Sequence, residues 1–107
     1  MPDTGHWHQA AALADLKDNE PLGVEIAGHH VALYRVGDTF YATGNICTHA
    51  DALLSDGLLE GCEIECPLHN GRFDIRTGEA LTSPVEIDIP TYPVRVVGDK
   101  LEVCLPG

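Results

Sequence analysis

Short alternating runs of apolar and polar residues set the pattern of this chain. Residues 22–27 alternate around Val24 and Ile26, and residues 31–36 carry Val31, Leu33 and Tyr34. A period of two predicts strands. Gly37-Asp38 then predicts a two-residue turn into a strand at 39–42. The style returns at the C-terminal end, where residues 92–97 lead through Gly98-Asp99 into residues 101–105. Only residues 10–16 are rich in good helix formers, and they predict a helix of about two turns ended by Asn19-Glu20-Pro21. The sum is an all-β protein, a small antiparallel β sandwich or barrel.

The middle breaks this pattern. Residues 44–84 are dense in Gly, Asp and turn signals, with strand fragments only at 63–65 and 72–75. A loop-rich stretch of that length inside a compact domain points to function, or to something other than a core holding it.

Composition narrows the classes. The 107 residues suit one domain, and 6 Lys plus Arg against 17 Asp plus Glu leave a net charge of −11. Such acidity argues against nucleic acid or an anionic membrane as partner. No apolar run reaches the roughly 18–20 residues of a membrane span. The first residues, Met1 to His6, have neither a basic nor an apolar leader region, so a cytoplasmic location is expected. In that reducing compartment, the four cysteines are to be read as metal or redox groups before disulfides.

Two clusters stand in the loop-rich middle, Cys47-Thr48-His49 and Cys66-Pro67-Leu68-His69, giving C-x-H-x16-C-x2-H. Each offers one thiolate and one imidazole on a tight loop, both ligands for soft-to-borderline metals. A Cys2His2 zinc tetrahedron is one centre such a set can hold. Zinc fingers, however, pair like ligands on one element, whereas here each loop contributes one of each. That interleaving suits a binuclear centre in which each loop gives its sulfur to one iron and its ring to the other, as a Rieske [2Fe–2S] centre requires.

The runs 41–49 and 66–74, with Ser55-Asp56-Gly57 between them and Thr91-Tyr92-Pro93-Val94 beyond, strongly resemble soluble Rieske ferredoxins of bacterial aromatic-ring hydroxylating dioxygenases, of the naphthalene dioxygenase type. The resemblance spans nearly the whole chain. It implies one Rieske domain, with a β base of residues 1–43 and 85–107 and an inserted cluster-binding subdomain at about 44–84. It implies one [2Fe–2S] cluster, with Cys47 and Cys66 on the inner iron and His49 and His69 on the outer one. It also implies a one-electron carrier rather than an enzyme, fed by an NADH-dependent flavoprotein reductase and emptied by a terminal oxygenase. A single small carrier of this kind is expected to be a monomer. No dinucleotide fingerprint and no open 2-His-1-carboxylate iron site stand in the chain, in keeping with a carrier. The rival readings are a zinc-stabilised interaction module, the ferredoxin of a related aromatic monooxygenase, and a redox sensor.

The remaining residues have plainer expectations. Cys62 reads as a free thiol and Cys104 as structural or partly exposed in the last strand. His6 and His8 around Trp7, and His29-His30 at a turn, read as surface or strand residues. Between Val36 and Gly71 there are six acids (Asp38, Asp51, Asp56, Glu60, Glu63 and Glu65) and no Lys or Arg, a field able to steer basic partners. Pro67 and Leu68, with Leu53, Leu54 and Pro84, are candidates for a small apolar docking patch.

Respiratory Rieske proteins carry a further cysteine in each loop, joined as a disulfide, and hydroxyl donors to cluster or cysteine sulfur. The matching positions here read as Ala52 and Leu68, and as Gly71 and Phe73. Fewer donors stabilise the reduced, more negative state less, so the midpoint is expected near the low end of the Rieske range, roughly −150 mV. Redox titration checks this, and a midpoint well above zero contradicts it.

Overall fold

The computed structural model describes residues 5–47, 52–68, 71–82 and 87–106. Its strands are β1 (Gly5–Ala12), β2 (Leu22–Ile26), β3 (His29–Val36), β4 (Thr39–Gly44), β5 (Leu58–Glu60), β6 (Glu63–Glu65), β7 (Arg72–Asp74), β8 (Thr91–Tyr92), β9 (Val94–Val97) and β10 (Lys100–Pro106). They form three antiparallel sheets, ordered β1-β10-β9, β2-β3-β4-β8 and β5-β6-β7. No helix among the described residues is long and apolar enough to cross a membrane.

Two-residue turns set the registers. Gly37-Asp38 joins β3 to β4 with Val36 opposite Thr39, and Gly98-Asp99 joins β9 to β10 with Val97 opposite Lys100. Gly37 has φ of 63°, the left-handed first position of a type II′ turn, whose twist matches that of the flanking strands. Both predicted Gly-Asp turns are therefore present.

The predicted helix at 10–16 is absent. Ala10, Ala11 and Ala12 end β1, whose pairing with β10 runs from Gly5 opposite Pro106 to Ala12 opposite Lys100. Only Leu13–Asp15 turn helically, as a single 3-10 turn. Seven residues cannot repay helix nucleation alone, whereas a strand partner satisfies their backbone outright. A register shift between Gln9 and Ala11 lets both Ala10 and Ala11 pack on the core. His29 and His30 lie inside β3, the turn before it being Ala27-Gly28.

Two cores result, and β3 belongs to both. Val31 and Leu33 meet Leu16, Ala42, Leu101, Val103 and Leu105 between the first two sheets. Ala32 and Tyr34, on the other face, meet Leu54, Leu59, Ile64, Phe73, Ile75 and Ile89. All four of these β3 residues are 0% exposed. Tyr34 keeps its hydroxyl satisfied: Thr43 Oγ1 donates to the Gly44 carbonyl at 2.8 Å, so the phenol donates to Thr43 Oγ1 at 2.9 Å. Burial pushes its pKa far up.

After β7 the chain turns through an ion pair. Arg76 Nε and Nη2 bond the Asp74 carboxylate at 3.0 and 2.9 Å, and the Arg76 amide donates to it at 2.8 Å. The guanidinium bonds hold Asp74 below its ordinary 3.8 although burial opposes them. The sign follows. With the folded value depressed, this contribution is fully present above the unfolded carboxylate value and is lost as pH falls through the folded one. The loss in urea midpoint on Asp74→Asn is therefore expected to be largest near neutrality and to shrink in acid; a pH-independent loss would contradict this.

Candidate metal centre

The second core ends in two loops. After β4, Asn45 accepts from the Leu54 amide at 2.8 Å, Ile46 bridges Leu53, and the Cys47 amide donates to the Ala52 carbonyl at 2.8 Å. Cys47 is thus the last rung of a short ladder that closes the first loop. In the second, the Cys66 amide donates to the Gly71 carbonyl at 2.7 Å, directly after β6 and before β7. Each cysteine stands at the neck of its loop, fixed there by its paired backbone amide.

The sulfurs share one environment. Cys47 and Cys66 are 3% and 0% exposed, both unbridged, and both members of the same apolar cluster with Ala52, Leu54, Ile64 and Phe73. Two cysteines outside any disulfide, brought from separate loops into one dry core, fit the sulfur side of an iron–sulfur or zinc site. The other two expected ligands, His49 and His69, lie outside the described residues. In sequence they fall between Cys47 and Ala52 and between Cys66 and Gly71.

Outside this core, the two arms line a cavity of about 460 Å³ formed by Ala52, Leu53, Asp56, Pro67 and Leu68. Leu53 and Leu68 are 38% and 59% exposed, an apolar rim beside the necks. Leu54, expected with them, is wholly buried beneath and serves the core. Pro84 lies outside the described residues.

The run of acids is less bare than its sequence. Arg72, one residue beyond that window, bonds Glu60 at 2.5 Å, Glu65 at 2.9 Å and Glu63 at 3.4 Å, spanning β5, β6 and β7. Its own pKa is raised, chiefly by the bonds from Glu60 and Glu65. Three of the six carboxylates therefore share one cation, while Asp38 and Asp56 stay exposed and Asp51 lies outside the described residues. Sequence spacing hid this cross-strand partner, although acids at 63 and 65 on a strand ahead of an arginine strand were the available signal.

The plainer expectations stand as follows. Cys62 is a partly exposed free thiol beside the second core, and Cys104 is buried and free in β10. Trp7 stacks on Arg95, whose guanidinium carbon lies 4.1 Å from the ring centre. His6 and His8 flank it in β1, and His29 makes an edge contact with Tyr92.

Comparison with known proteins accords with this geometry. A family model described as the Rieske [2Fe-2S] domain matches residues 6–93. The ferredoxin component of a naphthalene 1,2-dioxygenase system from Pseudomonas aeruginosa is 50% identical over 102 residues, covering 95% of this chain and 98% of that protein. The solved ferredoxin of carbazole 1,9a-dioxygenase from Nocardioides aromaticivorans IC177 is 37% identical with a TM-score of 0.88, covering 98% of this chain and 100% of that one. A further match, at 39% identity and TM-score 0.86 over 91% of both chains, lies in a complex of reduced oxygenase and oxidized ferredoxin in carbazole 1,9a-dioxygenase.

The Arg72 cluster yields a test of its own. In Arg72→Gln the three facing carboxylates repel with no cation among them. The thermal midpoint is expected to fall at low salt, and the gap from wild type to narrow as added salt screens the charges. A midpoint unchanged at low salt would show the cluster to be energetically idle.

Proposed function

The chain belongs to the Rieske [2Fe-2S] domain family and is a ferredoxin-type electron carrier, not a catalyst, and on that premise we propose that it takes single electrons from a flavoprotein reductase and delivers them to a terminal oxygenase acting on aromatic rings. We assign Cys47 and Cys66 as ligands of one iron and His49 and His69 as ligands of the other. The carrying observation is the convergence of two unbridged, buried sulfurs at the necks of two loops in one apolar cluster. The interleaved order of thiols and rings in the chain favours this set over a zinc tetrahedron.

When bound, the cluster supplies a one-electron couple. The chain's own residues do the rest. Phe73, Ile64 and Leu54 keep water from the sulfurs, and a dry site sharpens every charge effect at the metal. His49 and His69, the ring ligands of this assignment, are where an electron leaves or enters. Leu53, Pro67 and Leu68 offer partners a small apolar contact, of the size suited to an encounter that must dissociate quickly. Asp38 and Asp56 bias approach toward basic surfaces.

Residues 44–84 are the cluster-binding subdomain, and residues 1–43 and 85–107 its base. Placement of β5, β6 and β7 wholly within that insertion supports the division. The carrier acts as a cytoplasmic monomer. The naphthalene and carbazole systems named above use carriers similar to this one, so the aromatic substrate is a property of the oxygenase.

Anaerobic purification followed by iron and acid-labile sulfide assay tests the assignment. Equal amounts of the two are expected, about two of each per chain, with a reduced-state paramagnetic spectrum of low average g value from mixed nitrogen and sulfur ligation. Cys66→Ala is expected to lose both iron and sulfide. Zinc in their place, or a spectrum of all-sulfur ligation, would overturn it.

A further inference from the structure

We propose that Asn45 and Ser55, closed over by Gly23, form a clasp that positions the two cysteine loops relative to each other, and that this clasp governs how firmly the metal centre is held. The inference rests on the assignment of Cys47 and Cys66 as ligands.

Asn45 and Ser55 are bonded twice. The Ser55 amide donates to Asn45 Oδ1 at 2.8 Å, and Asn45 Nδ2 donates to the Ser55 hydroxyl at 3.0 Å. The Asn45 backbone is equally committed, its amide donating to the His30 carbonyl at 3.0 Å and its carbonyl accepting from the Leu54 amide at 2.8 Å. One residue, 4% exposed and two positions before Cys47, thus ties β3 of the base to both ends of the first loop. A buried amide bonded through both its oxygen and its nitrogen accepts one geometry and penalises others.

Two glycines seat the clasp between its neighbours. A Cβ on Gly23 of β2 would lie 2.6 Å from Ser55 Oγ and 2.8 Å from Asn45 Nδ2. Only a hydrogen fits, so the base sheet presses directly on the paired side chains. Ser55 lies in the 3-10 turn Leu54–Asp56, and that turn ends at Gly57. A Cβ on Gly57 would collide with the carbonyl oxygen of Glu65, the residue before Cys66. A line of close contacts therefore runs from Asn45, two residues before Cys47, through Ser55 and Gly57 to Glu65, next to Cys66.

Function gives this line its use. Neither Cys47 nor Cys66 is in a disulfide, so no covalent staple at these residues fixes the separation of the two necks. An electron carrier must keep its ligands in place in both oxidation states, and groups behind the ligands set that rigidity. Asn45 and Ser55 act through the loop backbone as positioning residues.

The test uses the holoprotein. Ser55→Ala removes the hydroxyl but keeps the amide bond to Asn45, Ser55→Thr restores a hydroxyl, and Gly23→Ala drives a methyl into the clasp. Iron release to a chelator is followed by loss of visible absorption, with Trp7 fluorescence reporting global unfolding from β1. Ser55→Ala and Gly23→Ala are expected to release iron on the order of 10-fold faster. Their reduced spectra should also broaden as ligand geometries spread, while Ser55→Thr stays close to wild type. Release at the wild-type rate in Ser55→Ala would overturn the proposal. So would equal release from Ser55→Thr and Ser55→Ala, or release that merely tracks the fall in unfolding midpoint. Wild-type protein without iron and labile sulfide would instead sink the ligand assignment, a failure read separately.

Discussion

Both faces of β3 are buried, and each of the two cores is built against one of them. Val31 and Leu33 point into the core between the two base sheets, and Ala32 and Tyr34 into the core under the loops. A strand with one wet face could hold a sandwich together, yet it could not also serve as floor to an inserted third sheet. Because consecutive side chains alternate in direction, a one-residue slip of β3 would exchange the two cores and disrupt both at once. The registers with β2 and β4, set by the tight turns at Ala27-Gly28 and Gly37-Asp38, are what prevent it.

From that strand the order passes outward by hydrogen bonds. The His30 carbonyl receives the Asn45 amide, the Asn45 carbonyl receives Leu54, and the Ala52 carbonyl receives Cys47. Each bond uses a backbone group that would otherwise be buried without a partner, so the first loop gains its shape from the same accounting that builds a sheet. The second loop grows from the β6–β7 hairpin and packs Ile64 and Phe73 against Tyr34 and Ala32. Both cysteines thereby end in one dry environment although 18 residues of chain lie between them. Rigidity beneath the two cysteines and an open rim above them suit a carrier, which must hold its metal tightly and its partners briefly.

Electrostatics follows the same division. The three carboxylates on β5 and β6 are drawn onto Arg72, which converts a repulsive ladder into a tie across the three strands of the inserted sheet. Asp56 remains beside the cavity between the loops, where its charge faces solvent and incoming partners. Acidity in this chain therefore serves two ends, binding the small sheet together in one place and facing outward in another.

Much of this was legible in the residues alone. The alternation at 22–27, 31–36 and 101–105 and the two Gly-Asp turns announced the hairpins of the base, because strand period and turn chemistry are local properties. The Cys-His pairs announced the chemistry, since few centres use interleaved thiols and imidazoles. The alanine-rich segment at 10–16 misled, because its helix preference is weak and pairing with β10 exists only once the far end of the chain has arrived. Leu53 and Leu54 looked alike, and only packing put one on the rim and the other in the core. The Asn45–Ser55 pair was likewise beyond sequence reading, and the Arg72 cluster left only a faint cross-strand signal. Local pattern along the chain set which side-chain types could bear the chemistry and which segments would be strands. Tertiary structure decided which charges met, which leucine was dry and what held the loops apart, because those depend on distances between residues that the chain order leaves far from one another.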